Sequence, residues 1–183
     1  MPCTLRPAHE SDVSGLAALA AATFPDACPS FMPRSAIDAF IDENLSVDAF
    51  RMYLTGPTWQ VRVAERHDGH AIVAYTLVDL APTTSDTVLA ATSGQGAASL
   101  SKMYASQEVR GTGVAQALCR DTCAVLADQG QRFVWLGTHK GNGRANAFYA
   151  RLGFEVIGER RFVVGGVEAE DWVYLGRAST ARG

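Results

Sequence analysis

The stretch LSKMYASQEVRGTGVAQAL, residues 100–118, decides the fold. Leu100 to Ala105 reads as an extended strand, and helical spacing runs from about Gly113 to Gln129, closed by Gly130 as a C-cap. Between them two glycines, Gly111 and Gly113, flank Thr112. Glycine weakens regular structure, so a pair at such a junction marks a backbone that must approach something closely. A P-loop is excluded because no Lys-Ser or Lys-Thr follows the glycines. A dinucleotide fingerprint is excluded because it needs a small residue where Gln116 stands. What remains is strand, loop, helix. The helix start offers unpaired N–H groups and a partial positive charge, an anion site. The same residues also suit a tight turn with no ligand.

Outward from this stretch the elements alternate. Upstream, residues 3–7 form a short strand, and Ser11 to Phe24 a helix with Ser11 as its N-cap. Ser35–Leu45 and Ser46–Leu54 carry helical spacing, and Trp59–Glu65 and Ala71–Leu80 read as strands. Residues 81–97 hold mostly small and polar side chains and are expected to form a long surface loop. Downstream come a buried strand at RFVWLGTH, a helix at NGRANAFYARL stopped by Gly153, and a hairpin of Phe154–Val164 and Val167–Leu175 around Gly165-Gly166. The pattern is one α/β domain over residues 1–176 with a flexible tail at 177–183.

The 183 residues suit one domain with a sizeable core, and 48% apolar against 19% charged residues places the chain among globular proteins. A net charge of −3 leaves nucleic-acid binding without an electrostatic footprint. No signal peptide opens the chain, and its alanine-rich run at Leu16–Ala22 is too short to span a bilayer, so a cytoplasmic protein without membrane contact is expected. Cys119 and Cys123 share a helix face but lack further ligands at metal spacing. No metal site is expected, and the thiols read as small buried side chains.

Two motifs carry a family resemblance. In the opening stretch, Arg110, Gly113 and Ala115 fit Arg/Gln-x-x-Gly-x-Gly/Ala; further on, Asn142, Ala145, Phe148, Tyr149, Gly153 and Phe154 fit Asn-x-x-Ala-x-x-Phe-Tyr-x-x-x-Gly-Phe. Their order and separation resemble the GNAT superfamily of acyl-CoA-dependent N-acyltransferases, tightly over residues 98–175 and coarsely before. The C-terminal FEVIGERRFVVGGVEAEDWVY and the preceding FVWLGTHKGN are similar, more weakly, to a bacterial branch that includes polyamine acetyltransferases.

The resemblance implies a mixed, mostly antiparallel central sheet flanked by helices and splayed at the coenzyme-binding strands. It implies acetyl-CoA as co-substrate and a small primary amine, polyamine-like, as acceptor. The diphosphate is assigned to the backbone of Arg110, Gly111, Thr112, Gly113, Val114 and Ala115, with Arg110 either adding charge or simply solvated. The strand at Met103, Tyr104 and Ala105 would pair with the pantetheine arm. Asn142 would hold its amide, and Tyr149 would return a proton to the departing thiolate. Tyr149 also suits a purely core role beside Phe148.

Relatives often carry a Glu where this chain has Ser99, so the base is left unassigned, with His139 either a base or a surface residue. Asp26, Asp38, Asp42, Glu43 and Asp48, against Arg34 and Arg51, form either an acidic rim that attracts a polycation or the solvated face of two helices. Two other readings stay open: a module that senses acetyl-CoA without turnover, and acetylation of a protein N-terminus or lysine. The sequence leaves a homodimer open.

Overall fold

The computed structural model describes residues 2–179. Strand β1 (Cys3–Pro7) leads to α1 (Val13–Thr23), α2 (Arg34–Asn44) and α3 (Val47–Thr55). Then come β2 (Trp59–Arg66), β3 (Ile72–Asp79), α4 (Asp86–Ala91), β4 (Ala98–Ala105) and α5 (Val114–Asp128). The chain continues through β5 (Phe133–His139), α6 (Gly143–Arg151), β6 (Glu155–Val164) and β7 (Val167–Arg177). Among the described residues the strands form one seven-stranded sheet in the order β1-β2-β3-β4-β5-β7-β6. All neighbours are antiparallel except β4 and β5, which α5 connects as a parallel pair.

Alternation along the central strands builds a core on both faces of the sheet. Val63, Tyr75 and Leu77 pack with Leu16, Ile37 and Phe50 beneath α1, α2 and α3. Ala64, Ala74 and Val114 meet Leu118 of α5 on the other face, and Leu136 and Tyr149 join Cys119 and Cys123 there. Burial on both sides explains why β3 reads as a near-continuous apolar run. Of its two buried hydroxyls, Thr76 Oγ1 is satisfied by Thr122 Oγ1 at 2.9 Å, whereas the Tyr75 hydroxyl has no partner among the described residues.

Three expectations change. Ser11 does not cap α1; it sits exposed inside a 3-10 turn, Glu10–Asp12. Asp12 holds that turn instead, accepting the His9 N–H at 2.7 Å while paired with Arg6. This guanidinium keeps the Asp12 carboxyl below its usual range. The loop at 81–97 contains α4, capped by Ser85 and anchored by the fully buried Val88. The last strand runs on to Arg177, opposite Phe133, and Ala178 N–H still donates to Arg132 O. Of the expected tail, residues 180–183 lie outside the described residues.

Candidate functional site

The site begins where β4 and β5 part. Their ladder consists of Ala98 opposite Val134 and Ser99 opposite Trp135, and past Ser99 no pairing joins them. A bulge in β4 accompanies the separation: Val78 pairs with Leu100 and Leu77 with Lys102, leaving Ser101 as the extra residue. The bulge reverses the alternation. Leu100 packs with Cys119 and Leu136 on the α5 side, whereas Lys102 points to the rings of Phe40 and Tyr53 on the α2–α3 side.

The wedge opens a cleft of about 430 Å³ on one side. Met103, Tyr104 and Ala105 form one wall, Arg110, Gly111, Gly113 and Ala115 its end, and Asn142 and Tyr149 the opposite wall. Gly111 and Gly113 both hold left-handed backbone, φ +78° and +86°, and a Cβ on either would meet no protein atom within 4 Å. Glycine is therefore set by backbone conformation, and the space before it is free for a ligand. The first intrahelical bond of α5 is Ala117 N–H to Gly113 O, so the N–H groups of Gly113, Val114, Ala115 and Gln116 lack intrahelical acceptors. An anion matches this arrangement.

Two of the expected residues contribute no side chain to the cleft. Val114 is buried with Ala64, Val73 and Leu118, and Thr112 turns its hydroxyl back to Val109 O at 2.8 Å. Only their backbone can serve a ligand. Arg110 lines the cleft and remains exposed to solvent, but it is not a free cation. It pairs with Asp26 from the turn after α1 and holds that carboxyl below its usual range. Further positive charge in the cleft comes from residues that the sequence reading passed over, Arg144 and Arg151 of α6, which form no ion pair among the described residues. Their spacing of seven, two helical turns, was the available signal.

Asn142 caps α6: its Oδ1 accepts the Ala145 N–H at 3.1 Å, which leaves its amide NH2 for the cleft. Tyr149, seven residues on, is 8% exposed and packed against Phe154 and Tyr174, yet lines the same cleft. It is thus at once a core and a cleft residue. Burial pushes its phenol well above the ordinary value, so at neutral pH it is a proton donor.

Across β4 lies a second cavity of about 260 Å³, which shares Leu100, Lys102, Tyr104, Gly137 and Thr138 with the cleft. Ser99 and His139 reach this side, and the His139 ring accepts the Gly141 N–H at 3.2 Å. The carboxylate here is Asp171, 4% exposed, in the strand register opposite His139. Burial raises its pKa, and Arg160 partly offsets that through bonds of 3.3 and 3.2 Å to Oδ2. The Arg160 guanidinium lies over Trp135 and Phe162, and a Cβ at Gly137 would come within 2.3 Å of it. Gly137 is what lets this arginine cross the sheet.

The acidic residues of the N-terminal helices stay out of this cavity. Asp38 pairs with Arg34, Asp48 with Arg51, and Asp26 with Arg110. Among the described residues no group of three His, Cys, Asp or Glu could hold a metal, and no helix is long and apolar enough to cross a membrane.

A family model described as the acetyltransferase (GNAT) family matches residues 28–154. An uncharacterized N-acetyltransferase of Mycobacterium tuberculosis is 39% identical over 165 residues, which span 90% of this chain and 97% of that one. Among solved structures, the PaiA N-acetyltransferase of Thermoplasma acidophilum in complex with coenzyme A superposes with TM-score 0.76 at 14% identity, covering 97% of this chain and 99% of that one. The ribosomal-protein-S18-alanine N-acetyltransferase of Escherichia coli gives 0.67 at 15% identity over 98% and 96%.

Proposed function

This chain belongs to the acetyltransferase (GNAT) family, and from that premise we propose that it transfers an acetyl group from acetyl-CoA directly to a small primary amine. The observation that carries the reading is the single opening between β4 and β5. It joins a cleft with an anion cradle at one end to a second cavity on the other side of the sheet. Acetyl-CoA supplies an activated acyl carbon; the chain supplies position, charge and a proton.

The N–H groups at Gly113–Gln116 face the diphosphate, with Arg144 and Arg151 near enough to add positive charge. The β5-facing edge of β4 at Met103–Ala105, where the ladder to β5 has ended, offers backbone groups to the pantetheine arm, as a sheet edge does to a peptide. The Asn142 amide NH2 adds a donor. The acceptor nitrogen bonds to the acetyl carbon as the carbon–sulfur bond breaks. The phenol of Tyr149 returns a proton to sulfur, and the amine's own proton leaves by way of water or Asp171. Among the described residues no cysteine lines the cleft, and burial pushes the thiol pKa of Cys28, in the second cavity, up to about 11, so a direct transfer is the simpler route.

A polyamine, the acceptor class implied by resemblance, gains no acidic rim here: none of the five helical carboxylates lines the second cavity, and Asp26, Asp38 and Asp48 are paired elsewhere. A coenzyme sensor without turnover is the second reading, favoured by Ser99 standing where relatives often have a carboxylate. Two measurements decide between them: the melting temperature with acetyl-CoA, and thiol release against a panel of amines and peptides. A rise in melting temperature together with amine-dependent release is the expected result. A rise with no release for any amine would leave the sensor.

A further inference from the structure

We propose that the acceptor is an amine that also carries a carboxylate, with the Lys102 ammonium as counter-charge to that carboxylate and Asp171 Oδ1 accepting from the amine. The inference rests on the acetyl-transfer reading and narrows its substrate class.

Lys102 and Arg160 are cationic and Asp171 is anionic, so the lining of the second cavity carries one positive charge in excess. Arg160 is engaged: both of its bonds go to Asp171 Oδ2, and its plane is held by Trp135 and Phe162. Lys102 is different. Among the described residues its Nζ has no carboxylate or carbonyl partner and only the faces of Phe40 and Tyr53, with centroids at 6.0 and 5.2 Å. Desolvation there lowers its pKa to about 8, the cost of a cation without a counter-ion. A ligand carboxylate supplies the missing counter-ion through a charge-assisted hydrogen bond.

Asp171 has the complementary vacancy. Both arginine bonds converge on Oδ2, so Oδ1 has no partner among the described residues, and Asp171 lines the cavity. One unpartnered cation and one half-used carboxylate in the same cavity match a zwitterion. A polyamine would instead place several cations against Lys102 and Arg160.

The test is the initial rate of CoA-thiol release by the full chain with alanine, leucine, phenylalanine and glutamate, with the amide of each, and with spermidine. The acids should exceed their own amides in kcat/KM by roughly tenfold, the scale of one charge-assisted hydrogen bond, with spermidine slowest. Lys102→Met should collapse the acid-to-amide ratio through the KM of the acids, and Lys102→Arg should restore it. Spermidine or the amides outpacing the acids would overturn the inference, as would an unchanged ratio in folded Lys102→Met. If Lys102→Met does not fold, the wild-type ratios decide alone. Release without carboxylate preference removes only this inference, whereas no release with any amine removes the acetyl-transfer reading and this inference with it.

Discussion

Tyr149 carries its hydroxyl on a wall that is otherwise core, and burial keeps it protonated. Tyr149→Phe removes that proton source while preserving the ring packing against Phe154 and Tyr174. Turnover should fall by roughly 10²-fold or more with acetyl-CoA binding nearly unchanged, as read by steady-state rates and thermal shift. Lys102 gives a prediction of opposite kind. Its folded pKa, about 8, lies below the unfolded value, so at neutral pH the folded chain bears a desolvated charge that the unfolded chain hydrates. The unfolded state binds the extra proton between those two values, and stability should rise with pH across that window. Lys102→Met should therefore raise the melting temperature at pH 7, and the gain should shrink as pH climbs from about 8 toward 10.5. A gain that persists at high pH would assign the effect to packing. Lys102 itself was not legible in the sequence. Strict alternation puts Leu100 and Lys102 on one face, and only the bulge at Ser101 separates them. Asp171 was hidden differently: in the acidic run EAEDW it resembles a solvated edge. Its alternation with the inward Ala169 and Val173 was the signal.

At the level of elements, the glycine loop and the terminal hairpin make separable demands. Gly113→Asn keeps a residue that tolerates left-handed backbone and puts a side chain into the cradle. It should fold with a melting temperature near wild type and lose most of the thermal shift given by acetyl-CoA. An intact shift would remove the loop from coenzyme binding. Gly165 has a steric role as well: φ is +52°, and a Cβ there would lie 2.5 Å from Ala36 Cα and O. The hairpin turn thus rests on the backbone of α2, closing the second cavity at the side of Phe162 and Val164. Gly165→Ala should cost roughly 2–4 kcal/mol, seen as a drop in melting temperature on the order of 10 °C. Most elements were legible because their apolar periods are unambiguous: β3 as a buried run, α5 as a capped amphipathic helix, β6 and β7 about Gly165-Gly166. Helix α4 was not, since Asp86–Ala91 is one short turn-rich segment whose only apolar anchor is Val88, with Ser85 as a cap that a loop also favours.

Over the whole molecule, the mixed sheet with its one parallel pair creates the opening, and the two cores fix its walls. α1–α3 hold one face and α5–α6 the other, so the cleft and the second cavity lie on opposite sides of the same β4 backbone. The split was legible from family resemblance at the level of which strands part. The chemistry proposed for the second cavity depends on Arg160 reaching past Gly137, a long-range contact that no local pattern encodes. Coenzyme binding that bridges β4, α5 and α6 should stabilise the entire fold. At a hundredfold excess over its dissociation constant the gain is about 2.7 kcal/mol, a rise on the order of 5–10 °C in melting temperature. The central claim is acetyl transfer through the opening between β4 and β5. Its most direct measurement follows acetylated amine by mass spectrometry alongside free CoA thiol, for wild type and Tyr149→Phe together. The account predicts one acetylated amine per thiol released, with both falling together in the variant. Thiol release without acetylated amine, or equal product from the variant, would contradict it.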